Sequence, residues 1–305
     1  MKKLTILLAA FLLILTTGCS LEPPGWAKPK TGGDLKNMKI GLSVSTLNNP
    51  FFVSLKDGVV NEANKLDIET IVVDAQNDSA KQSNDVDDLM QKGVNVLLIN
   101  PTDSAAISTV VQSANNLGIP VITLDRSADQ GEVEALVASD NAKGGKMAAE
   151  YIVQLLGKGA KVVELEGVAG ASATRERGKG FHEVADQDLK VIAKQTADFD
   201  RVKGLNVMEN LLQANPDVQA VFAHNDEMAL GAIEAIRSSG KDIPVIGFDG
   251  NEDALKSIQA GQLTATVAQQ PELIGQLAVQ AAHDVLQGKT VEKSIPAPLK
   301  LVTKE

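Results

Sequence analysis

The chain has 305 residues, 44% hydrophobic and 22% charged, an ordinary globular composition and enough length for two hydrophobic cores. Its formal net charge of -10 presents a repulsive field to a polyanion and no basic face from which counterions would be released, which excludes nucleic acid as a partner. One cysteine excludes an intramolecular disulfide and a cysteine-rich metal site, and no metal or cofactor is expected.

Met1-Lys2-Lys3 is positive, Leu4 to Leu15 is almost wholly apolar, and Thr16, Thr17 and Gly18 are small, so residues 1–18 read as a secretion signal. The apolar run is short for a helix crossing ~30 Å of hydrocarbon. Gly18-Cys19 resembles the processing site of bacterial lipoproteins, which implies that Cys19 becomes an acylated first residue holding the chain to the outer face of the cytoplasmic membrane. The other outcome is an unmodified exported chain cut near the same place, with Cys19 an exposed thiol. Residues 19–35 contain Pro23, Pro24, Gly25, Pro29, Gly32 and Gly33 without apolar periodicity, and are expected to form a tether that includes the lone Trp26.

From Lys39 onward short β-branched runs alternate with longer amphipathic stretches, which predicts an α/β fold of parallel sheets flanked by helices. Strands are expected at Ile40 to Val44, Ile68 to Asp74, Val96 to Asn100 and Val121 to Leu124, with helices beginning near Phe51, Ser79 and Ser104. A second series follows at Lys161 to Glu166, Val191 to Gln195, Ala220 to Ala223, Val245 to Phe248 and Thr264 to Val267. Long apolar runs of this kind suit strands covered on both faces. Asp226 is the expected cap of a helix from Glu227 to Ser238, Gly240 its end, and Pro244 the opening of the next strand. No Gly/Ser/Pro linker divides the two series, so two lobes are expected, joined by sheet-edge crossings near Ser139 to Asn141.

Open parallel sheets bind ligands beyond the carboxyl ends of their strands. The residues there are Thr46 to Phe52, Asn100, Asp125-Arg126 and Asn141 in the first series, then Arg177, Phe199-Asp200, Asn225-Asp226, Asp249 and Gln269 in the second. Carboxylates, carboxamides and guanidinium groups suit the hydroxyls of a neutral polyol, each of which donates and accepts. Aromatic rings suit its C–H faces, and Phe51, Phe52 and Phe199 are candidates, although a phenylalanine pair opening a helix is more often a core feature. Spacing alone defines a cleft for a small polar ligand and goes no further.

An enzyme is not expected. His182, His224 and His283 are widely spaced, without a His-x-x-x-His pair, and are read as surface or helix histidines. Ser172 lies in Gly170-Ala171-Ser172-Ala173-Thr174, which lacks the second glycine of a nucleophile elbow. Asp125 and Asp249 would serve glycosidase chemistry only at a separation that sequence does not set. No Gly-x-x-x-x-Gly-Lys-Ser/Thr loop is present for ATP. Asp85-Val86-Asp87-Asp88 has the spacing of a solvated helix face, not of a calcium loop.

Three runs in order, Ser45-Thr46-Leu47-Asn48-Asn49-Pro50-Phe51-Phe52, Ile99-Asn100-Pro101-Thr102-Asp103-Ser104 and Ile122-Thr123-Leu124-Asp125-Arg126, closely resemble the bacterial ribose-binding proteins. The match continues through Ala138-Ser139-Asp140-Asn141, Thr174-Arg175-Glu176-Arg177-Gly178, Ala197-Asp198-Phe199-Asp200-Arg201, Ala223-His224-Asn225-Asp226-Glu227-Met228-Ala229-Leu230, Gly247-Phe248-Asp249-Gly250 and Thr266-Val267-Ala268-Gln269. The resemblance implies ligand contacts at Asn49, Phe51, Phe52, Asp125, Arg126, Asn141, Arg177, Phe199, Asn225, Asp249 and Gln269, with three rings sandwiching a pyranose. It implies two lobes joined by three crossings, one of residues 36–139 plus 270–298 and the other of 140–269 plus 299–305. It further implies a monomer that closes around D-ribose and delivers it to the membrane permease of an ABC importer, whose partner subunits hydrolyse ATP. Autoinducer-2, or another pentose or hexose, is the alternative ligand. Galactose and glucose receptors share the resemblance but carry a calcium loop and a pocket tryptophan that this chain lacks. Regulators of the lactose-repressor family share the fold but begin with a helix-turn-helix domain where this chain has an export signal.

Overall fold

Residues 38–304 are described by the computed structural model; the expected signal, Cys19, the tether and Trp26 lie outside them. Strands β1 (Lys39–Val44), β2 (Glu69–Asp74), β3 (Val96–Ile99), β4 (Val121–Leu124), β5 (Ala135–Ser139) and β11 (Ser294–Ala297) form one sheet in the order β11-β5-β4-β3-β1-β2, every pair parallel. Strands β6 (Lys161–Glu166), β7 (Lys190–Thr196), β8 (Ala220–Ala223), β9 (Val245–Asp249), β10 (Ala265–Ala268) and β12 (Lys300–Thr303) form the other, in the order β12-β10-β9-β8-β6-β7. This second sheet is not wholly parallel: β12 runs antiparallel to β10, because the chain re-enters from the β11 side with only two residues between the strands.

Alternate residues of each strand serve opposite cores, as a period of two requires. On β3, Val96 and Leu98 face helices α1 (Pro50–Lys65) and α9 (Pro271–Leu286), whereas Leu97 and Ile99 face α2 (Ser79–Gln91) and α3 (Ser108–Asn116). All four side chains are fully buried, each contributing about 1.5–3 kcal/mol by transfer from water. In the second sheet Val163, Leu165 and Val221 pack under α6 (Arg201–Ala214), α7 (Asp226–Ser238) and α8 (Glu252–Gln259), while Val162, Phe222 and Phe248 pack under α4 (Asn141–Leu156) and α5 (Ser172–Asp188). The chain passes between sheets three times: from β5 into α4, from β10 into α9, and from β11 into β12.

Several strand ends shift by one residue, and two helix starts differ in kind. The third helix begins at Ser108, not Ser104, because the Asp103 carboxylate accepts from the N–H groups of Ala105 and Ala106 (2.9 and 2.8 Å) and holds a separate turn first. Helix α7 is capped by Asn225, whose amide oxygen accepts from the Met228 N–H at 3.0 Å; Asp226 is its first helical residue and turns inward. The Asp85–Asp88 run lies on α2, with Asp85 paired to Lys81 at 2.6 Å. No helix among the described residues is long and apolar enough to cross a membrane.

Candidate ligand-binding site

The carboxyl ends of both sheets face each other across a small cleft lined from both. Nine of the eleven expected residues line it: Asn49, Phe51, Phe52, Asp125 and Arg126 from the first lobe, and Arg177, Phe199, Asn225 and Asp249 from the second. Ala173, in the first turn of α5, also lines it and carries no chemical signal that sequence could flag. Asn141 and Gln269 stand one bond behind. The Asn141 amide accepts from Arg177 Nε at 2.9 Å and donates to Glu176 at 3.2 Å, and the Gln269 amide donates to Asp249 at 2.9 Å.

Helix starts and strand ends place these groups. Pro50 occupies the first turn of α1, where its missing N–H costs nothing. Asn49 caps that helix by accepting from the Phe51 N–H at 2.9 Å, which leaves its amide NH₂ as the end available to a ligand. The two following rings meet edge to face, centroids 5.2 Å apart, both buried in the core that spans α1 and α9 while also walling the cavity. They therefore satisfy both readings of the pair. Asn225 does for α7 what Asn49 does for α1.

Backbone strain concentrates here. Asp125, Phe199 and Asp249 have φ of 62°, 61° and 118°, in the region that L side chains rarely adopt and that persists where surroundings over-determine it. Asp125 is held by its N–H donating to Val137 O at 2.8 Å, and the Arg126 N–H donates to Leu124 O at 2.6 Å.

The site buries two acids and two guanidinium groups, none more than 5% exposed. Their formal charges cancel, so the lining suits a neutral polar molecule better than a carboxylate or a phosphate. Arg177 donates to the His224 carbonyl at 2.6 Å, lies 3.7 Å from Asp249, and stacks 3.8 Å above the Phe248 ring. Arg126 donates to the Pro101 carbonyl at 3.0 Å, lies 3.6 Å from Asp125, and sits between the Phe52 and Phe199 rings at 5.0 and 5.2 Å. Burial pushes the Asp249 carboxyl well above the usual carboxylate range against the pull of Arg177, and raises Asp125 against Arg126 and Arg177. Burial also brings the Arg126 guanidinium down to about 10, against Asp125. Asp125 Oδ1, Arg126 Nε and Gln269 Oε1 are buried without a hydrogen-bond partner. Groups so placed cost about 1–3 kcal/mol each until something pairs with them, and hydroxyls would do so.

The lobes also touch outside the cavity. Ser104 donates its N–H to the Gly170 carbonyl at 2.9 Å, and its hydroxyl accepts from the Ser172 N–H at 3.2 Å. Ser127 donates its N–H to the Ser172 hydroxyl at 2.9 Å, and Arg175 pairs with Asp129 at 2.8 Å.

The histidines depart from expectation at one position. His224, at the end of β8, is fully buried, its Nε2 2.8 Å from Glu164 on the neighbouring strand. His182 is on α5, as expected, and reaches the same carboxylate at 3.0 Å, with Asp186 at 2.6 Å on its other nitrogen. His283 meets Gln287. Ser172 accepts from a backbone N–H.

A periplasmic binding protein domain model matches residues 40–290. The ribose import binding protein of Bacillus subtilis is 68% identical over 305 residues, the whole of both chains, and that of Escherichia coli is 52% identical over 307 residues, covering all of this chain and 99% of the other. Among solved structures, an ABC transporter solute binding protein from Mycobacterium smegmatis with bound glycerol superposes with a TM-score of 0.84 at 36% identity, covering 88% of this chain and 94% of that one. With this cleft, these strand ends and a match across most of its length, the chain belongs to the periplasmic binding protein family.

Proposed function

We propose that this chain is an extracytoplasmic receptor that captures D-ribose between its lobes and presents it to the permease of an ABC importer. One observation carries the reading: a cleft walled by both lobes, in which three phenylalanines, two acids and two guanidinium groups surround polar atoms that lack a hydrogen-bond partner. The balance of acids and guanidinium groups favours a neutral ligand, the rings favour one with C–H faces, and the unpartnered polar atoms favour one carrying several hydroxyls. The names of the two bacterial relatives supply the choice of ribose within that class.

The lobes divide where the chain changes sheets, giving residues 36–139 plus 270–298 and residues 140–269 plus 299–305. Ligand contacts to both lobes exist only when they are closed, so sugar shifts the population toward the form that the permease reads. The eleven residues around the cleft hold the sugar, Asn141 and Gln269 acting through Arg177 and Asp249. The receptor works as a monomer without catalysis, tethered to the membrane through lipid on Cys19.

Isothermal titration calorimetry of the purified chain, stripped of sugar by unfolding and refolding, tests the ligand against D-ribose, D-galactose, D-xylose and autoinducer-2. One-to-one binding of ribose is the expected result. Silence toward ribose with a response to another compound keeps the receptor and discards the specificity, and silence toward all four from a folded chain overturns the proposal. Intact mass of membrane-extracted protein tests the anchor, which an unacylated mature chain rules out.

A further inference from the structure

Gly167 lies in the loop after β6, buried, and outside the ligand cavity. It is not among the residues with positive φ, so its backbone accepts any L residue. Space is what demands glycine. A Cβ built on Gly167 would stand 2.1, 2.2 and 2.5 Å from Cζ, Cε1 and Cε2 of Phe199, the distal edge of the ring that walls the cavity from the second lobe. The ring therefore rests on a bare Cα.

The base of that ring cannot retreat. Asp198 and Phe199 both have left-handed backbone, φ of 52° and 61°. The Thr196 hydroxyl donates to the Gly167 carbonyl at 2.8 Å, tying the two loops together, and Lys203 clamps Asp198 at 2.7 Å. The Phe199 carbonyl accepts from the Asn225 amide at 3.3 Å. With the backbone fixed, side-chain rotation is the soft coordinate. Restoring ordinary carbon–carbon contact at about 3.5 Å from a 2.1 Å overlap requires a displacement of about 1.4 Å. The ring walls both the ligand cavity and the adjoining cleft beside Asn48 and Asp200, so a displacement of this size changes the wall that it presents to the ligand. It also disturbs the ring's contacts with Arg126 and Arg177, at 5.2 and 5.8 Å.

We infer that Gly167 is a positioning residue for sugar binding: it sets the depth at which the Phe199 ring lies and thereby the height of the cleft. The inference rests on the receptor reading above and adds to it a residue that touches no ligand.

The test is a double-mutant cycle on D-ribose affinity, by calorimetry, with Gly167→Ala and Phe199→Leu. Leucine keeps an apolar side chain at position 199 but lacks the distal ring atoms that meet Gly167. Gly167→Ala is expected to weaken binding tenfold or more in the wild-type background, and twofold or less beside Phe199→Leu, with thermal midpoints tracked throughout. Equal losses in both backgrounds, or no loss in the first, overturn the inference. If Gly167→Ala does not fold, the double variant must recover folding; its failure to do so assigns the glycine to the fold and also overturns the inference. Absence of sugar binding by the wild-type chain sinks the receptor reading itself, a result separable from either of these.

Discussion

Glu164 is a fully buried carboxylate shared by two imidazoles, one buried and one facing solvent. Burial pushes its pKa up, but the hydrogen bond from His224 and the charges of both histidines outweigh this and leave it below 4.5. At His182 burial pulls the other way, and the bonds to Asp186 and Glu164 prevail, leaving it above 6.5. The raised histidine contributes stability fully below its unfolded value and loses it as pH rises through the folded value. The lowered glutamate contributes fully above its unfolded value and loses it as pH falls through the folded one. The cluster is thus strongest from about pH 4.5 to 6.5. Glu164→Gln should cost about 2–3 kcal/mol near pH 6 and about 1 kcal/mol less by pH 9, as urea melts at the two values would record; an equal cost at both would detach His182 from the cluster. This cluster also marks a limit of sequence reading. A cleft was legible because polar residues follow the strands, and the resemblance singled out its contact residues, whereas the burial of His224 depends on a glutamate sixty positions away on a neighbouring strand. Asp226 was misplaced for a related reason: it accepts from Gly250, Asn251 and Thr266, all distant in sequence, so a local capping rule could not see its role.

At the scale of elements, helix pairs meet through glycine. A Cβ on Gly275 of α9 would stand 2.4 Å from the Leu55 carbonyl oxygen of α1, and one on Gly145 of α4 would stand 2.0 Å from the Arg177 carbonyl oxygen of α5. Backbone cannot yield as a flexible side chain does, so either alanine substitution should cost about 1–3 kcal/mol or more by overpacking. Their effects on binding should differ. Gly275→Ala presses on α1 one turn after the Phe51–Phe52 pair and should weaken sugar binding modestly, while Gly145→Ala presses on the residue whose own guanidinium lines the cleft and should weaken it more. Chemical denaturation beside calorimetry separates the two, and equal affinities for both variants would show that Arg177 is insulated from its helix. Alternating apolar runs made most strands readable in the sequence, but β5, β11 and β12 were not marked. Proline and lysine interrupt the last two, and only their pairing with β5 and β10 makes them strands.

For the whole molecule, the seam between Ser104, Ser127 and Asp129 on one lobe and Gly170, Ser172 and Arg175 on the other exists only while the lobes are together. Of its members, the Arg175–Asp129 pair is exposed and contributes about 0–1 kcal/mol. Ser172 is buried, and its hydroxyl pairs a backbone N–H of the opposite lobe. Ser172→Ala should leave that N–H unpaired in the closed form alone, lowering the closed fraction and weakening every ligand by the same factor, about fivefold to tenfold. Affinities for two different sugars should fall with their ratio unchanged; a changed ratio would mean that Ser172 acts on the pocket instead. No such seam was visible beforehand, since its serines, its glycine and its one exposed ion pair are common surface chemistry until the fold brings them together.

The third crossing has a consequence for the order in which the molecule can be made. β11 completes the edge of the first sheet and β12, two residues later, completes the edge of the second. A chain emerging from its N-terminus must therefore expose the unpaired borders of β5 and β10 until β11 and β12 arrive, and neither half can finish ahead of the other. The topology makes maturation of the two halves simultaneous, and residues 294–303 act as a common clasp whose arrival ends the interval in which both sheets are open to wrong partners.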